Sequence, residues 1–469
     1  MTDSDRKLVA RQSASETSSP SELLRGLGLW SATAIVIGET IGTGVFLVSS
    51  EMARMVGSTT LVFAAWIAGA VIVLFGALSY AELGGLFPRA GGAFVYLSRG
   101  LGPLWGFLFG WMSSFLERPV AVATLAAGFI RLLGFVFPVV GTPLFSYRVG
   151  GSEFVFTAAQ PLAAVVVIAV TALNYLSVRL GGAIQMILTS LKIITILIIV
   201  VAGFVFGSNP GGAAIATTET FHWGTIVALL TALVPAMWAY NGFNDLGDLG
   251  EEVQEPHKNI PRAILMGLAA ICGLYLLANA AYFRVLSFSE VAESRHVASD
   301  VVQRISGSRG AILLTLSMAL SALGALHVVV MTGARIPYAM ARENLFFGFA
   351  RRLHPRFRTP SGALLFIGSV ATVLALSGTY EELYSLFVFA VWIFLALNAI
   401  ALLRLRRKEP ELNRPYRAWG YPWTQLIFLV AALALTLNLW TARPVRSSLG
   451  LLVILSGIPF FYRWRKAAV

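Results

Sequence analysis

Apolar stretches long enough to cross a bilayer alternate with short polar links over almost the whole chain. Twelve of them can be marked, at approximately 27–50, 59–87, 102–135, 157–177, 181–206, 223–249, 261–286, 310–340, 361–378, 383–403, 422–441 and 448–462. The pattern predicts an all-α integral membrane protein with twelve transmembrane helices. Residues 1–24 fall outside it. They are polar, rich in Ser and Thr, and lack the apolar core and cleavage site of a signal peptide, so a disordered cytoplasmic tail is expected. The third segment, about 34 residues, is longer than a bilayer requires and must tilt. In 288–308, apolar residues recur at helical spacing within a polar background, which predicts a short helix lying at the outer surface.

Two segments carry polar interruptions at their centres. The first contains Val36-Ile37-Gly38-Glu39-Thr40-Ile41-Gly42-Thr43-Gly44-Val45-Phe46. Glycine costs roughly 1 kcal/mol against alanine in a helix interior, and an acid at the bilayer centre roughly 2.5–3.5 kcal/mol. The sixth contains Pro235-Ala236-Met237-Trp238-Ala239-Tyr240-Asn241-Gly242-Phe243-Asn244-Asp245. These two segments open consecutive five-helix blocks, and paired interruptions at matching positions point to an inverted repeat with its binding site between the halves. The expected organisation is 25–206 for the first repeat, 207–408 for the second, and 409–469 for two further helices and a short cytoplasmic C-terminus. Close helix packing is the competing use of such glycines. A broken helix at mid-membrane frees backbone groups. The N–H groups of Gly42, Thr43 and Gly44, at the start of the outer half-helix, suit a carboxylate. Carbonyls near Thr40 and Ile41, and near Trp238, Ala239 and Asn241, suit an ammonium. A zwitterionic amino acid satisfies both sets.

Composition agrees with a membrane protein: of 469 residues, 57% are apolar and 12% charged, with mean hydropathy +0.76. A soluble protein carries about twice that charge fraction. The formal charge of +12 does not indicate nucleic acid, because roughly 24 of the 35 Lys and Arg residues lie in the tails and alternate loops, against about nine in the opposite loops. Both termini are therefore expected on the cytoplasmic side of the cell membrane. The single cysteine, Cys272, supplies no disulfide framework, and no metal or cofactor is expected. Five scattered histidines offer no enzyme-like constellation. Polarity concentrated at one depth suits a binding site better than a pore.

The chain resembles the amino acid–polyamine–organocation superfamily, in particular its L-type amino acid transporter branch and related bacterial exchangers. The resemblance rests on Gly42-Thr43-Gly44-Val45-Phe46, Tyr80-Ala81-Glu82-Leu83, Pro88-Arg89-Ala90-Gly91-Gly92, Arg118-Pro119 and Trp238-Ala239-Tyr240-Asn241-Gly242-Phe243-Asn244. It continues through Glu251-Glu252-Val253, Pro256 and Asn259-Ile260-Pro261-Arg262-Ala263-Ile264. It implies a leucine-transporter-like fold with discontinuous helices 1 and 6, substrate held between the first, third, sixth, eighth and tenth spans, and alternating access. It also implies an external aromatic gate at Trp238 and, at Lys192, a lysine that replaces a sodium ion and ties the fifth span to the broken first helix. Two departures stand out. Asn241 occupies a position that is usually small, and the cysteine that links animal members to a glycoprotein has no counterpart, so no covalently linked glycoprotein subunit is expected.

Counting 1.5 Å per residue along alternating spans puts Glu39, Glu117, Arg118, Lys192 and His327 at similar depth. Lys192 is read as a proton-responsive tie, with a permanently paired structural lysine as the alternative. Glu39 has three readings: a pair with Lys192, a contact to the substrate ammonium, or a proton carrier. Glu117 and Arg118 are adjacent, about 100° apart on a helix, and are read as structural, with Pro119 kinking the span. His327 is read first as a satisfied buried histidine and second as a proton carrier, since imidazole titrates near physiological pH. Cytoplasmic Glu251, Glu252 and Arg262 are candidates for a salt-bridge cluster at an inner gate. The functional expectation is sodium-independent transport of a neutral L-amino acid, by exchange or by symport with protons. A cationic amino acid or polyamine, or a non-transporting sensor of the same fold, stays open.

Overall fold

The first apolar segment folds as two helices, α1 (Leu29–Thr40) and α2 (Gly44–Val56), bent by 44° at their break. This computed structural model describes residues 26–89, 91–149, 152–176, 181–208, 223–357 and 359–467. The predicted tail 1–24, together with Arg25, Ala90, Arg179 and Arg358, lies outside the described residues. Beyond the break come α3 (Thr59–Leu86), α4 (Ala93–Gly100) and α5 (Pro103–Met112). A π-helical turn, Ser113–Glu117, leads into α6 (Arg118–Val136). Then follow α7 (Ala159–Leu176), α8 (Gly181–Phe206) and α9 (Trp223–Ala239), and a 3-10 segment, Asp245–Glu252. The remainder is α10 (Pro256–Val285), α11 (Phe288–Glu293), α12 (Val297–Gly333), α13 (Arg335–Arg342), α14 (Ser361–Ser377), α15 (Tyr380–Lys408), α16 (Trp423–Ala442) and α17 (Pro444–Ala467).

Among the described residues, nine helical stretches are long and apolar enough to cross a membrane, and the α1–α2 pair makes a tenth. Gly224–Ala239 and Ser361–Ser377 are shorter apolar helices. The chain is a multi-pass membrane protein. Its burial follows from that: every residue from Gly44 to Ala53 in α2 is buried, whereas α16 and α17 leave Val430, Leu433, Leu437, Leu449 and Leu452 exposed. An apolar outer surface of this kind has lipid as its solvent.

The link after α6 holds an antiparallel hairpin, β1 (Pro143–Val149) with β2 (Ser152–Thr157), while the spans are helical. The single surface helix expected over 288–308 is two pieces. Ser287 and Glu290 form a capping box that starts α11, while the rest belongs to α12, which is kinked at Gly307 and runs on into the eighth span. Pro235 does not end α9, which continues to Ala239. The break in the sixth span comes at Gly242, whose φ of +120° suits glycine alone.

Leu27 pairs with the chain at the end of the 3-10 segment, its N–H 3.0 Å from the Glu252 carbonyl, so the residues leading into α1 and Asp245–Glu252 share one face of the molecule. The opposite face carries the end of α2, joined to the segment after α11 by Arg54 Nη1 on the Ala292 carbonyl at 2.7 Å.

Candidate functional site

The two interruptions cross. A Cβ on Gly44 would lie 2.7 Å from the Ala239 Cα, and one on Gly242 would lie 2.9 Å from the Thr40 nitrogen, so backbone meets backbone at both ends of the crossing. Beside it lies a cavity of about 40 Å³, bordered by Glu39, Thr40, Gly42, Thr43, Gly44, Trp238, Ala239, Asn241, Gly242 and Asp245. Glu117, Arg118, Ala121 and Leu125 from the third span, Val329 from α12 and Phe387 from α15 complete the wall. That volume is room for a few waters, against roughly 300–1,000 Å³ for ordinary ligand pockets.

The freed backbone groups are partly spent. The Gly42 N–H turns back to the Thr40 carbonyl at 2.9 Å and so is not available as expected. Thr43 and Gly44, at the N-terminus of α2, have no such bond across the break. Tyr275 of α10 reaches both interruptions, its hydroxyl 3.1 Å from the Thr40 carbonyl and 3.0 Å from that of Ala239. Those two carbonyls were expected to be free for an ammonium, and a tyrosine holds them instead. The Trp238 carbonyl accepts the Asn241 N–H at 3.3 Å. Ile41 packs in the core and does not border the cavity, while Asn241 does.

On one side the cavity is closed by aromatic groups. Trp238, 8% exposed, donates its indole N–H to the Tyr380 hydroxyl at 2.9 Å, and the same hydroxyl is 3.0 Å from Thr43 Oγ1. Trp238 also stacks on Tyr384 and meets the edge of Phe387. Tyr384 in turn donates to the buried Glu51 carboxylate. Behind this layer opens a vestibule of about 750 Å³, bordered by Tyr380 itself and by Arg54, Arg131, His296 and Glu381. Arg131 binds Glu381 and lies 5.5 Å from the centre of the Tyr380 ring.

On the other side the groups are charged. Arg118 reaches Asp245 with two bonds, 2.8 and 3.1 Å, and Asp248 with a third at 2.9 Å. Glu117 and Arg118 both border the cavity, because the π turn that ends at Glu117 shifts the register of the span.

The remaining candidates lie outside the cavity wall. Lys192 is fully buried and donates to the Gly38 carbonyl at 2.6 Å, joining α8 to α1. It makes no salt bridge with Glu39, which corrects that reading: the last turn of α1 offers the lysine a backbone carbonyl. His327, half-buried, receives the Asn174 side-chain amide on Nδ1 at 3.0 Å and does not border the cavity. At the other charged cluster, Glu252 pairs with Arg335 at 2.9 Å, while Glu251 and Arg262 are exposed, so the expected Glu251–Glu252–Arg262 group is not formed.

Tyr275, Tyr380 and Asp248 were missed on sequence. A tyrosine within an apolar span reads as core or interfacial packing, and only its partners reveal the role of its hydroxyl.

Residues 27–460 match the family described as amino acid permease. The b(0,+)-type amino acid transporter 1 of Oryctolagus cuniculus is similar, 30% identical over 395 residues that cover 84% of this chain and 79% of its own. The serine/threonine exchanger of Bacillus subtilis is 27% identical over 449 residues, covering 95% and 98% of the two chains. The cystine/glutamate transporter of Homo sapiens is 29% identical over 441 residues, covering 94% and 85%.

Proposed function

The chain belongs to the amino acid permease family, and from that membership and its role in amino acid transport we propose a sodium-independent transporter that carries a neutral L-amino acid across the cytoplasmic membrane by alternating access. The observation that carries this reading is the crossing of two broken helices beside a polar cavity. The substrate carboxylate takes the Thr43 and Gly44 N–H groups at the N-terminus of α2. Its ammonium takes the carbonyl of Asn241, and those of Thr40 and Ala239 once Tyr275 swings away. Trp238 covers the substrate on the vestibule side. Because a cavity of about 40 Å³ is smaller than ordinary ligand pockets, the described state is contracted, and the two breaks part to admit substrate.

Under this reading the chain has twelve spans in two inverted five-helix repeats, 25–206 and 207–408, followed by two more. The distribution of positive residues supports both termini in the cytoplasm; the vestibule then opens to the outside and the Arg118 cluster faces inward. Lys192 takes the place of a sodium ion, and Glu39 is a coupling group. His327, tied to Asn174, is left with a structural part. Asn241 favours small or medium side chains, in keeping with one relative's being an exchanger of serine and threonine. A specific observation favours a second reading, a cationic amino acid or polyamine: Glu39, Glu117 and Asp245 border the cavity against Arg118 alone.

Purified protein in liposomes, offered a labelled panel of amino acids with and without internal amino acid and an inward proton gradient, tests the reading. Saturable counterflow of neutral amino acids is expected. Counterflow confined to cationic substrates would favour the second reading, and binding with no counterflow of any amino acid would identify a sensor and overturn both.

A further inference from the structure

The last turns of α15 sort their positive charges to two sides. Arg406 turns inward: it grips the buried Glu82 carboxylate of α3, with Nε at 2.9 Å, and its guanidinium lies 4.0 Å from the centre of the Tyr421 ring. Arg414 and the Ala418 N–H complete the shell around Glu82. Arg404, Arg407 and Lys408 are exposed, and with Ile400 and Leu403 they border a groove of about 540 Å³. These five positions follow the three- and four-residue spacing that puts side chains on one helix face.

That face changes character along its length. Ile400, 40% exposed, and Leu403 continue the apolar outer surface, and the three cations take over beyond them. A second element packs beside it. A Cβ on Gly100 would lie 2.5 Å from the Ala401 Cβ, so the end of α4 meets α15 there, and Arg404 Nη1 reaches the Leu101 carbonyl at 3.4 Å. The depth of the cations is marked independently. Tyr421, the ring beside Arg406, lies between Trp419 and Trp423, which are 66% and 69% exposed, and exposed tryptophans in a membrane protein sit at the headgroup level.

The three cations are not neutralised within the protein. Among the described residues no ion pair reaches Arg404, Arg407 or Lys408, and the acids that follow, Glu409 and Glu411, are exposed without joining them. Snorkelling into water and the negative end of the helix dipole account for cations at a helix C-terminus. They do not account for a groove into which an apolar stripe leads. Arg404 to Lys408 rise about 6 Å along the helix, which lets all three converge on one headgroup, and guanidinium forks match the oxygens of a phosphate.

We propose that this groove binds an anionic glycerophospholipid, its phosphodiester on Arg404, Arg407 and Lys408 and an acyl chain along Ile400 and Leu403. The site requires only that α15 crosses a membrane, whichever substrate the protein carries. Occupancy neutralises the cationic face and holds the end of α15 against α4.

Native mass spectrometry of the full-length protein in detergent, supplemented with equal amounts of phosphatidylglycerol and phosphatidylcholine of the same acyl chains, tests the site. The wild type is expected to retain one phosphatidylglycerol in preference to phosphatidylcholine. Each cation near an anionic lipid adds roughly fivefold to binding, so the triple variant Arg404→Gln, Arg407→Gln, Lys408→Gln should lose at least about tenfold of that retention. Removing the same charge from exposed residues elsewhere, with Arg351→Gln, Arg352→Gln and Arg356→Gln together, should leave it unchanged. Equal retention of the two lipids by the wild type overturns the proposal even if no variant folds. So does an equal loss in both triple variants, which would reduce the effect to net charge. Displacement of phosphatidylglycerol by its soluble headgroup, glycerophosphoglycerol, at matched concentration would assign the cations to a free phosphodiester and overturn the lipid site.

Discussion

On the vestibule side of the cavity, Tyr380 joins Thr43 and Trp238 through one neutral hydroxyl. On the opposite side, Arg118 holds Asp245 and Asp248 through three charge-assisted bonds. A neutral hydrogen bond contributes about 0.5–1.5 kcal/mol net, and one between charged groups roughly twice that. The first closure is a small aromatic layer that backs onto about 750 Å³ of open space, whereas the second is a network of charge-assisted bonds. Opening toward the vestibule therefore costs less, and the charged side is the one that needs an external agent, a proton or a substrate charge, to release it.

The largest effect should come from Arg118→Ala, which leaves Asp245 and Asp248 without their shared partner. Breaking a buried pair by removing one member costs about 3–5 kcal/mol, and thermal unfolding of the purified protein should fall markedly, with Arg118→Lys recovering part of the loss. An unchanged midpoint would mean that the network adds nothing to closure. Gly242→Ala comes next. Its φ of +120° and the 2.9 Å approach to Thr40 make any side chain strained, at a cost of about 1–3 kcal/mol, and substrate affinity should drop with stability because the crossing itself is displaced. Tyr380→Phe is milder. Loss of one hydroxyl bridge, about 1 kcal/mol, should shift the vestibule-side equilibrium roughly fivefold toward open, seen as faster hydrogen exchange across 44–56. If exchange there does not change, the hydroxyl is not the latch.

The smallest effect lies outside the membrane. Backbone and hydroxyl donors of Ser287, with Arg304, hold the Glu290 carboxyl at about 2, below the usual carboxylate range. A depressed folded value means the stabilisation is full above the ordinary titration near 4.5 and fades as pH falls toward 2. Ser287→Ala should cost about 1 kcal/mol of local order in α11, and acid should remove the difference between variant and wild type. Hydrogen exchange of 287–293 against pH measures both.

The aromatic and charged closures were not equally legible in the sequence. Gly42, Gly44, Pro235 and Gly242 stand out in apolar surroundings because backbone requirements are local, and the crossing of the two interruptions followed from their matching positions. Arg118 and Glu39 also announced themselves by the cost of burying charge. Their partners did not. Asp245 read as part of the sixth-span interruption, and Asp248 carried no reading of its own, because ion pairs between segments more than a hundred residues apart leave no local trace. Of the three readings of Glu39, a pair with Lys192 is not formed for a related reason: charge pairing considers side chains, and Lys192 found a main-chain carbonyl at Gly38. Glu252 chose Arg335 over the nearer Arg262, which points to solvent. Tyr275 and Tyr380 were invisible as functional groups, since a ring that fits the core conceals what its hydroxyl does.

The central claim is that the crossing at Gly44–Ala239 and Thr40–Gly242 is where the amino acid binds. Counterflow of labelled L-serine into liposomes holding purified wild type or Thr43→Leu tests it most directly, because the leucine blocks the start of α2 and removes the Tyr380 contact without touching the charged side. The account predicts saturable counterflow in the wild type and at least a tenfold loss in a variant that remains monodisperse. Full uptake by Thr43→Leu would place the substrate elsewhere.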